Sequence, residues 1–252
     1  MNNIYCVCTT PDMYPHYQGH WNNFKDCGRE FIFVSDNTKD KNFNVGFTFD
    51  ENTMCENLNF HTQPSTKHFW NCLGTRNIAW FYAHLRMVNF YLSNPNYDYY
   101  WFFDDDIRMD NWTEFFNGVD KDDSDFLAYF CFKNRDVNSQ PNIHKTDDNM
   151  FSKNNLWFNR FPGDGDKLPN DLTEHFGSFF PTTRFSNRAL KQLLEDTKNG
   201  YYAYHEGFVP TMLNYHGMKL NTIIQPDNTS HFFDVETVGI KHKNIKITWE
   251  WL

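Results

Sequence analysis

The sequence lacks a long apolar run, a paired cysteine motif and a recognisable targeting segment. No stretch approaches the ~20 apolar residues that a membrane-spanning helix needs. The start of the chain, MNNIYCVCTT, has neither a basic region nor an extended apolar run, so we expect no secretory signal. The six cysteines form neither a CxxC pair nor a zinc-ligand spacing, which favours buried thiols in a reduced, cytoplasmic protein.

Basic residues are few compared with acidic ones. The chain of 252 residues has 23 Lys and Arg against 32 Asp and Glu, which gives a net charge of −9. This balance argues against a nucleic-acid-binding protein, because such a protein needs a clustered basic face. Repeats of solenoid type and linkers rich in Pro, Gly or Ser are also missing from the sequence. Since this length is enough to bury a sizeable core, we expect a single domain.

Aromatic residues are abundant although the chain is polar on average. Phe, Tyr and Trp make up 19% of the residues, and the mean hydropathy is nevertheless −0.72. Frequent asparagine accounts for the polar average. A biased base composition of the gene would produce this pattern without functional meaning. Alternatively, some of the aromatic side chains line a carbohydrate or nucleotide site.

Strand and helix patterns alternate along the chain. Extended patterns lie at 3–9, 30–35, 99–103, 125–132, 177–183 and 219–225, and helical patterns at 15–26, 67–93, 186–196 and 206–216. This alternation predicts an α/β fold with a mostly parallel central sheet flanked by helices. Because ligands bind at the carboxyl ends of the strands in such sheets, polar residues at strand ends are the first candidates for a site.

Three consecutive aspartates, Asp104, Asp105 and Asp106, follow the aromatic strand 99–103 directly. Their carboxylates repel one another unless a cation lies among them, and the end of a buried strand limits their solvation. Mg²⁺ or Mn²⁺ would relieve the repulsion, since hard cations take oxygen ligands and pair with phosphates. In an extended segment Asp104 and Asp106 point to one side and Asp105 to the other. The alternative is a solvated acidic turn.

A resemblance to a known family starts from these aspartates. The stretch WFFDDDIRM, a hydrophobic strand that ends in Asp-x-Asp, is similar to the DxD signature of the GT-A-fold glycosyltransferases. The resemblance implies a GT-A-like single domain, with a nucleotide-binding half at 1–132, an acceptor-binding half at 133–235 and a C-terminal tail at 236–252. It also implies a Mn²⁺ or Mg²⁺ cofactor and a nucleotide sugar donor, which we expect to be linked to UDP.

The same resemblance assigns roles to the aspartates. In that family the DxD carboxylates bind the donor's ribose and the divalent metal that bridges its diphosphate. Asp106 is then a metal ligand, Asp104 contacts the metal or the ribose, and Asp105 shares either role. Many metal-dependent members bring a histidine from the C-terminal region back to the metal, and His231 fits that position, with a packed surface histidine as the alternative. Weaker candidates for this ligand are Asp234 and His242.

The acceptor side of the site is expected from two later segments. Glu206 lies where inverting members of the family keep their catalytic base, at the start of a predicted helix. A base there would take the proton from the acceptor hydroxyl as it attacks the anomeric carbon. The alternative is that Glu206 only caps the helix; His205 is a rival base and a candidate acceptor contact. In the aromatic segment 151–185, Trp157 is expected to stack on a sugar, whereas the other interpretation is packing of a long loop.

The nucleotide side is expected from the N-terminal strands. In this fold the loop after the first strand holds the base, and Thr9 and Thr10 occupy that position. Asp36 ends the second strand and is a candidate partner for the base or the ribose, although all three are also ordinary turn residues. Of the cations near the long helical pattern, Arg76 is our first choice for the diphosphate and Arg86 another, against the alternative of a solvated helix face.

The sequence therefore supports three functions to different degrees. The leading hypothesis is a metal-dependent hexosyl- or N-acetylhexosaminyl-transferase that acts on a hydroxyl of a glycan or glycolipid acceptor, with inversion if Glu206 is the base. A sugar-phosphate nucleotidyltransferase is the second, but the first strand lacks the Gly-rich, basic signature that holds a triphosphate. The third is a non-enzymatic carbohydrate-binding protein with a metal-free acidic turn. No nucleic-acid partner and no transmembrane segment are expected.

Overall fold

The computed structural model describes residues 2–60, 82–133, 166–225 and 229–241, and its centre is a seven-stranded sheet. The strands are β1 (Asn3–Thr9), β2 (Ile32–Asp36), β3 (Phe47–Phe49), β4 (Tyr99–Asp104), β5 (Phe126–Lys133), β6 (Phe176–Ser186) and β7 (Leu220–Thr222). Their order is β3-β2-β1-β4-β6-β5-β7. β6 runs antiparallel to both of its neighbours, and the other neighbouring pairs are parallel. The chain thus forms a single α/β domain with a mixed, mostly parallel sheet, as predicted.

Helices cover both faces of the sheet. They are α1 (Tyr14–Tyr17), a 3₁₀ helix (Gln18–Cys27), α2 (Glu51–Asn57), α3 (Ala83–Ser93), α4 (Trp112–Val119), α5 (Asn187–Lys198), α6 (His205–Tyr215) and α7 (Val235–Val238). One core contains the buried side chains of α2, α3, α5 and α6. The core on the opposite face contains those of the 3₁₀ helix, α4 and α7. In the described ranges, no helix combines the length and the apolar character needed to cross a membrane.

The aromatic run in β4 belongs to the middle of the sheet. Tyr100 and Phe102 are buried in the core beneath α3 and α5, whereas Trp101 and Phe103 are buried in the opposite core. A strand that is covered on both faces reads as a continuous apolar run. Burying each of these rings stabilises the fold by roughly 2 kcal/mol. The run therefore fixes β4 in place and brings the aspartates that follow it to the end of a buried strand.

Short polar side chains begin several of the helices. Ser186 accepts a hydrogen bond from the Ala189 backbone N–H at 3.2 Å, which confirms it as the N-cap of α5. Asn111 accepts from the Glu114 backbone N–H in the same way at α4, and Asp234 caps α7. Such caps satisfy backbone donors that have no partner inside the helix.

The structure also differs from the sequence patterns in several places. The helix predicted over 15–26 is the short α1 followed by a ten-residue 3₁₀ helix, which ends at Gly28 with φ of 73°. Only the last part of the helical pattern at 67–93 is described, as α3. Four short elements, β3, α2, α4 and α7, were not predicted, because segments of three to eight residues show too little periodicity to register.

Candidate functional site at the carboxyl edge of the sheet

The carboxyl ends of β1, β2 and β4 meet at one edge of the sheet. In the parallel register Cys8 lies beside Asp104, and Thr9 lies beside Ser35. Asp36, the last residue of β2, is therefore at the same edge as Thr9 and the aspartates. The structure thus brings together residues from three segments that the sequence analysis had placed at a common site.

Asp105 is fixed by contacts with the first strand and the 3₁₀ helix. The Thr9 hydroxyl donates to Asp105 Oδ2 at 2.5 Å, and the indole N–H of Trp21 donates to the Asp105 carbonyl oxygen at 3.0 Å. Both Thr9 and Asp105 are buried. A charge-assisted hydrogen bond of this kind holds the carboxylate in one orientation. Thr9 therefore holds the Asp105 carboxylate in place.

Asp104 is paired with an arginine from α3. Nη2 of Arg86 lies 3.0 Å from Oδ1 of Asp104, and the two side chains are 17% and 34% exposed. Burial alone would lower the pKa of Arg86, but the nearby Cys8, Asp104 and Asp105 raise it. Arg86 is thus the cation that the described residues bring to the aspartates. Arg76, our first choice from the sequence, lies outside the described residues.

One feature of the sequence points to Arg86 in retrospect. It is the single charged residue in the stretch AHLRMVNFYL, which is otherwise apolar or neutral. A charge is almost never fully buried unless it is paired. An arginine on the core-facing helix before the aspartate strand therefore needs a carboxylate partner, and the strand that follows provides three.

The oxygen donors at this edge fit a divalent ion that arrives with phosphate. Asp104 ends β4 and is partly exposed, whereas Asp105 and the buried Asp106 lie in the turn that follows, where the Ile107 backbone N–H donates to the Asp104 carbonyl oxygen. The extended run expected over Asp104–106, with Asp104 and Asp106 pointing to one side, is therefore wrong beyond Asp104. Within the described ranges, no group of three or more His, Cys, Asp or Glu side chains could hold a metal. Mg²⁺-type sites need only one or two carboxylates when substrate phosphates and water complete the coordination. The donor set thus fits that arrangement and not a closed, all-protein cage.

His231 is found in a different environment from that expected. Its side chain is exposed, its Nδ1 lies 3.1 Å from the amide nitrogen of Gln225, and its ring packs at a tilt against Phe232. It does not join Asp104 and Asp106 in a three-ligand group among the described residues. His242 lies outside the described residues, and the carboxylate of Asp234 is engaged at the start of α7.

Glu206 is a buried carboxyl group near the aspartates. It lies in the first turn of α6, whose N-cap is Tyr204 and not Glu206. Burial raises the pKa of Glu206 to about 8, the hydrogen bond from the Tyr204 hydroxyl lowers it, and the charge of Asp104 raises it further. The Glu206 carbonyl oxygen also accepts from the Ser178 hydroxyl at 3.0 Å. This environment gives a carboxyl group that can exchange a proton near neutral pH.

Two buried histidines, His205 and His84, lie in the same core. His205, the rival base and expected acceptor contact, packs its ring against Phe180 and Tyr204. His84 on α3, which the sequence analysis did not select, is completely buried with its ring 4.9 Å from that of Phe208. Burial, and then the charge of His205, hold the pKa of His84 well below its usual range. His84 is therefore neutral at physiological pH.

The remaining nucleotide candidates serve as turn residues. The Asp36 carboxylate accepts from the Thr38 backbone N–H at 2.9 Å and from its hydroxyl at 2.5 Å. The Thr10 carbonyl oxygen accepts from the backbone N–H groups of Met13 and Tyr14 as the chain enters α1. Their contacts with a nucleotide stay predictions. Trp157, expected at the acceptor, lies outside the described residues.

A cavity of about 300 Å³ lies on another part of the surface. Its lining consists of Asn59, Phe60, Lys167, Thr197, Lys198, Asn199, Gly200 and Tyr202. None of the aspartates, Arg86 or Glu206 contributes to it. We therefore locate the candidate site by its chemistry and not by this cavity.

Comparisons with known proteins do not assign the chain to a family. No protein-family model matches the chain, and no curated protein is similar to it in sequence. The argument for a function therefore depends on the residues at the carboxyl edge of the sheet.

Proposed function

We propose that this protein is a metal-dependent glycosyltransferase with a GT-A-like fold. It would move a sugar from a nucleotide diphosphate sugar, which we expect to be UDP-linked, to a hydroxyl of a glycan or glycolipid. The observation that carries the proposal is the placement of Asp104 at the carboxyl end of β4 and of Asp106 in the turn that follows, with the buried Glu206 close enough for the charge of Asp104 to raise its pKa. These carboxylates lie at the edge where α/β sheets bind their ligands.

Asp104 and Asp106 are the residues that would hold Mn²⁺ or Mg²⁺. Such an ion neutralises charge on the departing diphosphate. Asp105 lies between them and is held by its hydrogen bond with Thr9. Arg86 contributes a fixed positive charge on the α3 side of Asp104.

Glu206 is the residue that we propose as general base. In the displacement, the acceptor oxygen forms a bond with the anomeric carbon, and the bond from that carbon to the diphosphate oxygen breaks. The acceptor proton passes to the carboxylate of Glu206, and the configuration inverts. Because Glu206 is a base only when ionised, its pKa of about 8 makes the reaction faster toward alkaline pH.

A cytoplasmic location stays part of the proposal. Cys6, Cys8, Cys27, Cys55 and Cys131 are all thiols in the structure, and Cys72 lies outside the described residues. Unpaired cysteines are typical of proteins kept in a reducing compartment.

The Asp106→Asn variant tests the assignment of the metal site. We expect turnover of a UDP-sugar with Mn²⁺ to fall by at least about 100-fold, since a neutral amide is a much weaker ligand for a hard cation. Transfer and UDP release would be measured with a panel of UDP-sugars and glycan acceptors. Asp123→Asn is the matched control, because that aspartate is 75% exposed and its partner is Lys219. Undiminished metal-dependent transfer in Asp106→Asn would rule out this site.

A further inference from the structure

Tyr204 is an unusual residue for the start of a helix. It is the N-cap of α6, a position where Ser, Thr, Asp or Asn is preferred because a short side-chain oxygen can accept from the first backbone N–H groups. The Tyr204 side chain makes no such bond; only its carbonyl oxygen accepts, from the backbone N–H groups of Gly207 at 3.1 Å and Phe208 at 2.8 Å. Capping of α6 therefore does not explain why a tyrosine side chain stands here.

The Tyr204 hydroxyl is directed to the carboxyl group of Glu206. It donates a hydrogen bond to that carboxylate, two residues further along the chain. The Tyr204 ring is buried and packs at a tilt against the His205 ring, with 4.6 Å between the ring centroids. Burial, and then the charge of Glu206, raise the pKa of Tyr204 well above its usual range. The hydroxyl therefore keeps its proton at physiological pH and remains a donor.

The other surroundings of Glu206 act on its charge in opposite directions. Its place in the first turn of α6 favours a carboxylate, because a helix N-terminus carries partial positive charge. Asp104 at the end of β4 favours the neutral form. The buried His205 on α6 and His84 on α3 are further titratable groups in the same core. Among the described residues, Tyr204 is the one whose hydrogen bond lowers the pKa of Glu206.

We propose that Tyr204 is a positioning residue that holds the Glu206 carboxylate in one orientation for proton transfer. A carboxylate can rotate about the bond to its side chain, and a charge-assisted hydrogen bond to one oxygen fixes the direction of the other. Small errors in the placement of a reacting group lower the rate strongly. The same bond favours the ionised form, which is the form that acts as base. This inference rests on the proposed function, in which Glu206 takes the proton of the acceptor hydroxyl.

The Tyr204→Phe variant tests the inference, because it removes the hydroxyl and keeps the buried ring. We expect kcat for sugar transfer at pH 7 to fall about tenfold, with KM for donor and acceptor within about twofold, since Tyr204 acts through Glu206 and not on the substrate. The pH at which the rate levels off should rise, because loss of the bond raises the pKa of Glu206. A pH–rate profile with the UDP-sugar and acceptor that the wild type uses best measures both effects.

Tyr215→Phe is the matched control. Its hydroxyl also donates to a carboxylate, that of Asp171 at 2.9 Å, but Tyr215 is 40% exposed at the far end of α6. It should change kcat by less than about twofold and leave the pH profile in place. If Tyr204→Phe keeps the wild-type profile, the inference is wrong. A raised KM for the acceptor with unchanged kcat would also overturn it and make Tyr204 a direct substrate contact.

A double-mutant cycle tests the contact between Tyr204 and Glu206 without turnover. Unfolding equilibrium constants of the wild type, Tyr204→Phe, Glu206→Gln and the double variant would be measured in urea at pH 9, where Glu206 is ionised. We expect a coupling of about fivefold, since a hydrogen bond to a charged group is lost.

The two experiments separate the inference from the proposed function. Additive effects in the cycle, together with an active wild type, would overturn the role of Tyr204 and leave the transferase function standing. If the wild type transfers no sugar, the proposed function is wrong, and the catalytic role of Tyr204 is wrong with it, whatever the cycle shows. Coupling together with a shifted pH profile is the result that we expect.

Discussion

Glu206 combines two properties that a buried carboxyl group seldom has together. It is removed from water, and it also lies near the negative charge of Asp104. Both effects favour its neutral form, and the Tyr204 hydroxyl opposes them only in part. A buried structural carboxyl group usually has a cationic partner, and among the described residues none contributes to the pKa of Glu206. For this reason we propose Glu206 as the base.

The Glu206→Gln variant separates catalysis from stability. We expect transfer to fall by about 10²- to 10⁴-fold, which is typical for loss of a general base. The rate of the wild type should rise with pH and level off above about 8, the pKa of Glu206, and this rise should be absent in the variant. A pH–rate profile would show it. Glu195→Gln, on the exposed side of α5, is the control with an unchanged profile.

The same variant has an expected effect on folding. A carboxyl group whose folded pKa is raised above its usual value destabilises the fold as the pH rises between the two values, here from about 4.5 to about 8. Glu206→Gln should therefore be more stable than the wild type at pH 9, by up to about 5 kcal/mol, and close to it at pH 4. Urea denaturation at both pH values measures this. Lower stability of the variant at pH 9 would contradict the assigned environment.

At the residue scale, the candidates were selected on two different grounds. The aspartates were selected because three carboxylates follow a buried aromatic strand, and Glu206 because of its position after them in the family that the sequence resembles; their roles stay predictions. Arg86 was named but not preferred, since a sequence pattern does not show which helix face reaches the aspartates. His84 was missed altogether, because a buried histidine in an apolar helix reads as a core residue.

At the scale of elements, a helix cap and its contact with a neighbouring strand hold α5 on the sheet. Ser186 begins α5, and its hydroxyl also donates to Asp125 Oδ1 at 2.8 Å. That second bond ties the start of α5 to the start of β5. The helix is thereby held on the sheet face that also carries α3 and α6.

Replacing the cap of α5 tests this element directly. We expect Ser186→Ala to lower the free energy of unfolding by about 1–2 kcal/mol, because a backbone donor and a buried carboxylate each lose a partner. Asp234→Ala, at the exposed cap of the four-residue α7, should cost no more than about 0.5 kcal/mol. Denaturant unfolding of both variants gives the comparison. Equal losses in the two would argue against a special role for Ser186.

The elements that the sequence analysis missed had signals of different strength. Asn111 followed three residues later by Glu114 is a capping-box pattern, and it marks the start of α4. β3 contains only three residues at the edge of the sheet, and its pairing with β2 depends on tertiary contacts. The 3₁₀ helix Gln18–Cys27 buries Trp21 and Phe24 in the core, and a helical period in the sequence does not distinguish it from an α-helix.

At the scale of the whole molecule, the alternation of strands and helices was sufficient to predict the fold class but not the direction of every strand. β6 runs against its neighbours, and this reversal lets β5 and β6 pair over a long stretch. A buried ion pair, Arg184 with Asp122, lies beside this reversed strand. Neither feature follows from local patterns, because strand direction is set by packing between distant segments.

Part of the net negative charge of the molecule lies at the carboxyl edge of the sheet. Part of the net charge of −9 is concentrated in Asp104–106, and Arg86 pairs with Asp104 there. This is the edge at which we propose that a divalent ion and a nucleotide diphosphate bind, directly after the aromatic β4. The chain is rich in aromatic residues although it is polar on average, and at this edge an aromatic strand lies directly before a charged segment.

The central claim is that this edge binds a nucleotide through a divalent ion, and calorimetric titration of UDP tests it most directly. The wild-type protein would be titrated in Mn²⁺ and, separately, in EDTA. We expect saturable binding at one site with Mn²⁺ and a loss of affinity of at least about 100-fold in EDTA, since the ion links the carboxylates to the diphosphate. No binding of UDP in either condition, or equal binding in both, would contradict the account.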